Sequence, residues 1–328
     1  MRRLVVVTVS VFLVLAGRVL SQSDPVLYTE TRTTPLTFRD PATGTLQAAS
    51  AQRLEPDHKQ RVDDAIPRQA PAKPRKPRRL LVTNLSMRNG KPFVGTSVAA
   101  VPVANYAIEQ MGKVTGAFEV VFRDDVEVFR PATLAQFDAI CFNNTLGVLF
   151  EDPELRKSLL AFVESGKGFV GIHDAIATFV QWPVYDQWPE FGRMVGGTEN
   201  GGHPWNGEMM TMKVEDPGNP INAAFGGKDF EIADQAFQLQ EPTLRDRIHV
   251  LLRIDPEKST KTNRRVLPVR AKDLDFPMSW IRRQGQGRVF YLGLGHSAPV
   301  YWNPSLLRHL LAGIQYALGD LDADDRPR

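Results

Sequence analysis

The chain has 328 residues, 42% of them hydrophobic, enough for an ordinary buried core in one or two domains. Its single cysteine, Cys141, excludes any intramolecular disulfide. The net charge of +3 is smaller than that of one tract, Arg68 to Arg79, with six basic residues and no acidic one, so the rest is near neutral and offers no nucleic-acid surface.

In chain order, residues 1–21 read as a signal peptide. MRR is a positive n-region, LVVVTVSVFLVLAG is an apolar core shorter than a membrane span, and Ser21 is a small residue for cleavage before Gln22. The expectation is a periplasmic or secreted protein with no membrane span after cleavage. Residues 22–78 lack periodicity and are rich in Pro, Thr, Gln and charge, and read as a flexible Pro/Arg-rich arm.

From Arg79 the pattern changes. RLLVT (79–83) has strand length, and SVAAVPVANYAIEQMG (97–112) predicts a helix closed by Gly112. FEVVFRD (118–124) and FDAICFNN (137–144) read as further strands. DPELRKSLLAFVESGKG (152–168) is an amphipathic helix opened by Pro153 and stopped by Gly166, and GFVGI follows as a strand. This succession predicts an α/β fold with a mostly parallel sheet buried on both faces and its site outside the carboxyl ends of the strands. MTMKVEDP (209–217), RIHVLLRID (247–255), PMSWIRR (277–283) and GRVFYLGLGH (287–296) predict more strands. NPSLLRHLLAGIQYALG (303–319) predicts a closing helix capped by Asn303, and residues 322–328 read as a frayed polar tail.

Three of the six histidines stand at element ends or in loops. His173 follows GFVGI, His203 lies in the Gly-rich GGTENGGHPWN, and His296 ends GRVFYLGLGH. His249 and His309 fall inside a strand and a helix pattern and read as structural. Each of the three would singly satisfy local backbone groups; together they favour a site. Three imidazoles suit general acid/base work near neutral pH, or a divalent metal such as zinc, although no H-x-H or H-E-x-x-H spacing supports the metal. The expected span of the three is about 10 Å, the reach of one sugar ring or ion. Asp174 and Glu199 are placed to orient the histidines or to join them as ligands, and Glu199 is also a candidate for substrate binding. Asn143 and Asn144 end a strand and suit sugar hydroxyls, and Trp205 offers a face for a sugar ring. Asp234 is a further polar candidate.

FDAICFNNT, FVESGKGFVGIHDAIATF, WPEFGRMVGG followed by GHPWN, and GRVFYLGLGH with WNPSLLRHLLAGIQYALGDL resemble the ThuA-like (trehalose utilisation) family over residues 79–321. The resemblance implies a flavodoxin-like, class I glutamine amidotransferase-like three-layer sandwich, and a role in the catabolism of disaccharides and their keto forms. The implied partner is a small-molecule sugar. Amidotransferases carry a nucleophilic cysteine in a G-x-C-x-G corner. Here Gly171-Ile172-His173-Asp174-Ala175 holds a histidine, and Cys141 lies inside the previous strand, which argues against glutamine hydrolysis through a thiolate. Many family members also have a G-F-R-H-like segment after the first strand and a later D-E-x-Y. This chain has no histidine in residues 84–99 and reads Asp234-Gln235-Ala236-Phe237. The expectation is an exported sugar-processing enzyme; the alternative is a non-catalytic carbohydrate-binding protein.

Overall fold

The computed structural model describes residues 54–93, 100–181, 186–199, 202–240, 245–259 and 275–328, with the backbone of 37–39 and 46–48. The expected signal peptide and most of the arm before residue 54 lie outside the described residues. No helix among the described residues is long and apolar enough to cross a membrane.

Nine strands make the main sheet: β1 Arg79–Thr83, β2 Glu119–Phe122, β3 Ala139–Asn143, β4 Gly168–Ile172, β5 Trp205–Val214, β6 Phe230–Ala236, β7 His249–Ile254, β8 Phe276–Gln284 and β9 Gly287–Leu292. They lie in the order β6-β5-β7-β8-β9-β4-β3-β1-β2. The half from β9 to β2 is parallel. The half from β6 to β9 is antiparallel. The sheet is therefore mixed, not mostly parallel as expected. Parallel neighbours need a long crossover, and the sequence supplies helices for these only in its first half. β8 and β9 are joined by the two residues between Gln284 and Gly287, which only an antiparallel hairpin can use. β6 was not anticipated. The parallel half, taken alone, has the order β2-β1-β3-β4-β9, which changes direction between β1 and β3. Loops leaving such a switch point diverge and open a crevice at the carboxyl edge.

The longer helices are α1 Pro56–Ala65, α2 Val101–Thr115, α3 Pro153–Glu164, α4 Pro189–Val195 and α5 Pro304–Ala317. Alternating strand residues face opposite layers. Leu80, Val82, Val170, Ile172 and Phe290 pack with Val62, Ile108 and Leu310 of α1, α2 and α5. Leu81, Ile140, Phe169, Val289 and Tyr291 pack with Leu159 of α3 and Phe191 of α4. Three layers result. Cys141 is fully buried on β3, and burial pushes its thiol up, which removes it from nucleophilic chemistry.

Local signals explain the helix ends. Asn303 Oδ1 accepts from the amides of Ser305 and Leu306 at the start of α5, as the sequence predicts. Helix α2 runs past Gly112 to Thr115 and stops at Gly116, whose φ is 68°. Gly112 serves close packing instead: a Cβ there would lie 2.5 Å from the Phe118 carbonyl oxygen.

The arm is not flexible throughout. Val62 and Ile66 are buried in the core. The Ala72 peptide exchanges two hydrogen bonds with the Gln315 amide, donating at 2.9 Å and accepting at 2.6 Å. Arg78 grips Asp320 with Nη2 at 2.6 Å, and the Arg75 amide donates to the same carboxylate at 2.9 Å. The basic tract is thus paired with acids near the other end of the chain. The same holds for the polar tail expected to fray. Asp325 accepts from Tyr316 at 2.7 Å and Arg283 at 2.5 Å, and the Arg328 amide donates to the Ile248 carbonyl at 3.1 Å. Because the Asp320 carboxylate is fully buried and Arg78 nearly so, Asp320→Ala leaves Arg78 only the more distant Asp138 at 3.7 Å and should lower unfolding free energy by about 3 kcal/mol in urea titrations. An unchanged midpoint would mean that this clasp contributes nothing.

Candidate functional site

Strand β4 is buried along its whole length and pairs on both sides, so its backbone stays extended up to Ile172. At His173 the chain breaks into a short 3-10 turn, His173–Ala177, with φ of 45°. A non-glycine residue in that region costs about 1 kcal/mol and persists only where neighbours hold it. Here two do. The Tyr291 hydroxyl donates to the His173 carbonyl at 2.8 Å. The ring Nδ1 lies 2.7 Å from the Gly293 carbonyl, which can only accept, so Nδ1 carries a proton. Nε2 is left facing inward, 3.3 Å from Gln235 Oε1 and 3.5 Å from Asp174 Oδ1.

The ring of His173 stacks on Phe237 at 4.7 Å, and His203 packs on Phe237 at 4.9 Å. Those two steps through Phe237 keep His173 and His203 inside the expected span. His296 meets His173 edge-on at 5.1 Å. The loop that carries His296 is fixed by Asp234, whose carboxylate accepts from the amides of Gly295 at 2.7 Å and Ser297 at 2.9 Å. Gly295 has φ of 133°, and a Cβ there would lie 2.5 Å from the Tyr301 hydroxyl, so only glycine fits.

Strand β6 lies at the far edge of the sheet, yet its end reaches β4. The register shows how. β5 pairs with β7 only over Met212–Val214, while it pairs with β6 from Trp205 to Met212 and shifts register between Asn206 and Met209. The free part of this ribbon bends at the bulge and carries Asp234, Gln235 and Phe237 over the carboxyl edge. Gln235 Nε2 donates to Asn206 Oδ1 at 2.7 Å, which aims its carbonyl oxygen at His173.

Burial, and then the charge of His173, holds His203 down at about 4. The same two causes, in the same order, lower His296. Both are therefore neutral at pH 7. Tyr291, buried and facing the charges of Asp174 and Glu199, is pushed well above its usual value and stays a donor. Among the described residues, two buried polar atoms at this edge have no partner: His296 Nδ1 and Asn144 Oδ1. They are linked through Gly295, whose carbonyl accepts from Asn144 Nδ2 at 3.4 Å and from Tyr301 at 3.1 Å.

Residues 93–317 match the family described as "ThuA: Trehalose utilisation". The chain belongs to the ThuA family. A ThuA-like protein from Bacteroides uniformis superposes with a TM-score of 0.57 at 17% identity, over 75% of this chain and 93% of that one. Another from Parabacteroides merdae gives 0.52 at 16% identity, over 74% and 90%. At such identities the likeness concerns the fold alone. No curated protein matches the sequence.

In this ThuA-family chain the three loop histidines, Asp174 and Asn144 lie around the same corner. Glu199 is buried, with its amide donating to Ile176 at 3.2 Å, beneath the corner. Three expectations for ligand contact are corrected. Trp205 is fully buried against Phe276 and presents no face to a sugar. Asp234 holds loop amides with both oxygens. Asn143 is fully buried in a chain of amides: it accepts from Asn144 at 3.0 Å and donates to Asn105 at 2.9 Å, which donates to Asn84 at 3.0 Å. Among the described residues no group of three His, Cys, Asp or Glu side chains is arranged to hold a metal ion. Gln235 and Phe237 were marked only as departures from the D-E-x-Y of the resemblance, with no contact role, and Tyr291 was missed.

The lowered histidines fix the sign of a pH effect. His203, and His309 on the buried face of α5, sit at about 4 instead of 6.5, so the unfolded chain takes up protons that the folded one refuses. Stability should be complete above 6.5 and fall as the pH drops towards 4, measured by urea unfolding across that range. His203→Gln should flatten part of the slope; an unaltered slope in both His203→Gln and His309→Gln would refute the assignment.

Proposed function

We propose that this ThuA-family protein is a sugar-processing enzyme that binds a sugar or keto-disaccharide at the carboxyl edge and exchanges a proton with it through His173 Nε2. The observation that carries this reading is the corner itself, a histidine held at positive φ with Nδ1–H fixed and Nε2 turned to Gln235 and Asp174 beside the other imidazoles. Asp174 orients that nitrogen. The two unpartnered atoms, His296 Nδ1 and Asn144 Oδ1, suit hydroxyls, which both donate and accept and in which sugars are rich. Neutral His203 and His296 serve as acceptors near pH 7. Turnover of a keto-disaccharide should fall by ~10²–10⁴-fold in His173→Ala while binding persists. Full activity in that variant would remove the corner from the chemistry.

One observation favours the binding-protein reading. The group nearest Nε2 is the Gln235 amide, which cannot pass a proton on. A binder would be stabilised by the sugar without releasing product, which the same assay separates.

The reading includes export to the periplasm or the exterior. MRR, the apolar core and Ser21 support it. Protein recovered from the periplasm should have the intact mass of a chain beginning near Gln22; a retained Met1 would count against it.

A further inference from the structure

At the edge of the sheet opposite His173, β8 ends in Arg282, Arg283 and Gln284. Two surface hollows, of about 330 and 440 Å³, flank this point, and Arg247 and Arg282 line both. The neighbouring charges are matched in pairs. Arg193 meets Glu190 at 2.9 Å, Arg283 meets Asp325 at 2.5 Å, and Arg326 meets Asp324 at 2.7 Å. Glu164 accepts from Gln284 at 2.8 Å, and Asp246 stands 3.5 Å from Arg247.

Arg282 is different. Its Nε donates to the Arg283 carbonyl at 3.1 Å and its Nη2 to Gln284 at 3.3 Å, both neutral acceptors. Its Nη1 is buried with no partner, and among the described residues no carboxylate lies within ion-pair reach of it. Its stem runs over the Gly196 backbone, where a Cβ would come within 3.5 Å of Cδ, so the guanidinium is held in place. A half-buried cation beside a second arginine is costly unless an anion joins them. Burial and the charge of Arg247 lower its affinity for the proton accordingly.

We propose that Arg282 and Arg247 form a binding site for a tetrahedral oxyanion, a phosphate or sulfate group free in solution or carried as an ester. The unpartnered Nη1 of Arg282 together with the neighbouring Arg247 guanidinium suits an anion with three or four oxygens, whereas a planar carboxylate is satisfied by one fork. The hollows beside the pair leave room for the remainder of an ester.

The test is calorimetric titration of the full chain with inorganic phosphate against chloride at matched ionic strength. Saturable binding is expected, weakened about tenfold or more in Arg282→Met. Arg247→Met should weaken it likewise and stands in if the first variant fails to fold. Arg123→Gln, which breaks an exposed pair with Asp125, should leave it unchanged. Tighter binding of glucose 6-phosphate than of phosphate would assign the site to an ester, and equal binding to the free ion. No saturable phosphate signal, undiminished binding in folded Arg282→Met and Arg247→Met, or acetate binding as tightly as phosphate would overturn the proposal.

Discussion

The hydrogen bond from His173 Nδ1 to the Gly293 carbonyl is the contact on which the site depends. It ties the carboxyl ends of two adjacent parallel strands, β4 and β9, and fixes which ring nitrogen remains for chemistry. The neighbouring contacts follow from it. Tyr291 can brace the corner from below because β9 lies in register with β4, Tyr291 opposite Gly171. The loop after Gly293 then has to turn sharply, which Gly295 permits and Asp234 holds. The arrangement places three imidazoles together in a setting where burial, more than mutual repulsion, keeps two of them uncharged.

Much of this was legible in the sequence where the signal is local. The five parallel strands, the capped helices and the three histidines at element ends all follow from short apolar runs and the residues that stop them. The residues that complete the site do not. Gln235 and Phe237 belong to a strand at the far edge of the sheet and reach His173 only because the β5–β6 ribbon leaves its neighbour and bends. A register shift between Asn206 and Met209 has no mark in composition. Trp205 misled for the opposite reason: its neighbours in sequence are loop-like, yet it opens a strand whose first residue turns into the core.

The polar groups divide by what surrounds them. Asn84, Asn105, Asn143 and Asn144 form a run of buried amides under the switch point between β1 and β3, each satisfying the next. Such a run rigidifies the crevice floor, and its unmatched end, Asn144 Oδ1, is the part that faces the histidine loop. Cys141 lies one strand away from the corner but inside the apolar layer. The corner position and the thiol have thus become separated, and the chemistry available is that of an imidazole.

Charge composition described the arm and the tail poorly, because a basic tract reads as solvated unless its partners are known. Those partners are distant: Arg78 reaches an aspartate 242 positions later. The separation has a kinetic consequence. During synthesis β1 and the segment before it emerge early, but the clasp that fastens them is made of Gln315 and Asp320. The early segment can meet α2 and Asp138 first, but its clasp must wait until nearly all of the chain is available. Closure of so long a loop is a late and slow event, because its entropy is lost before the contact returns anything. The clasp acts as a seal on finished molecules, and a chain truncated before α5 would keep the pairing of β1 with β2 and β3 and the contact of α1 with α2, but would lack the clasp.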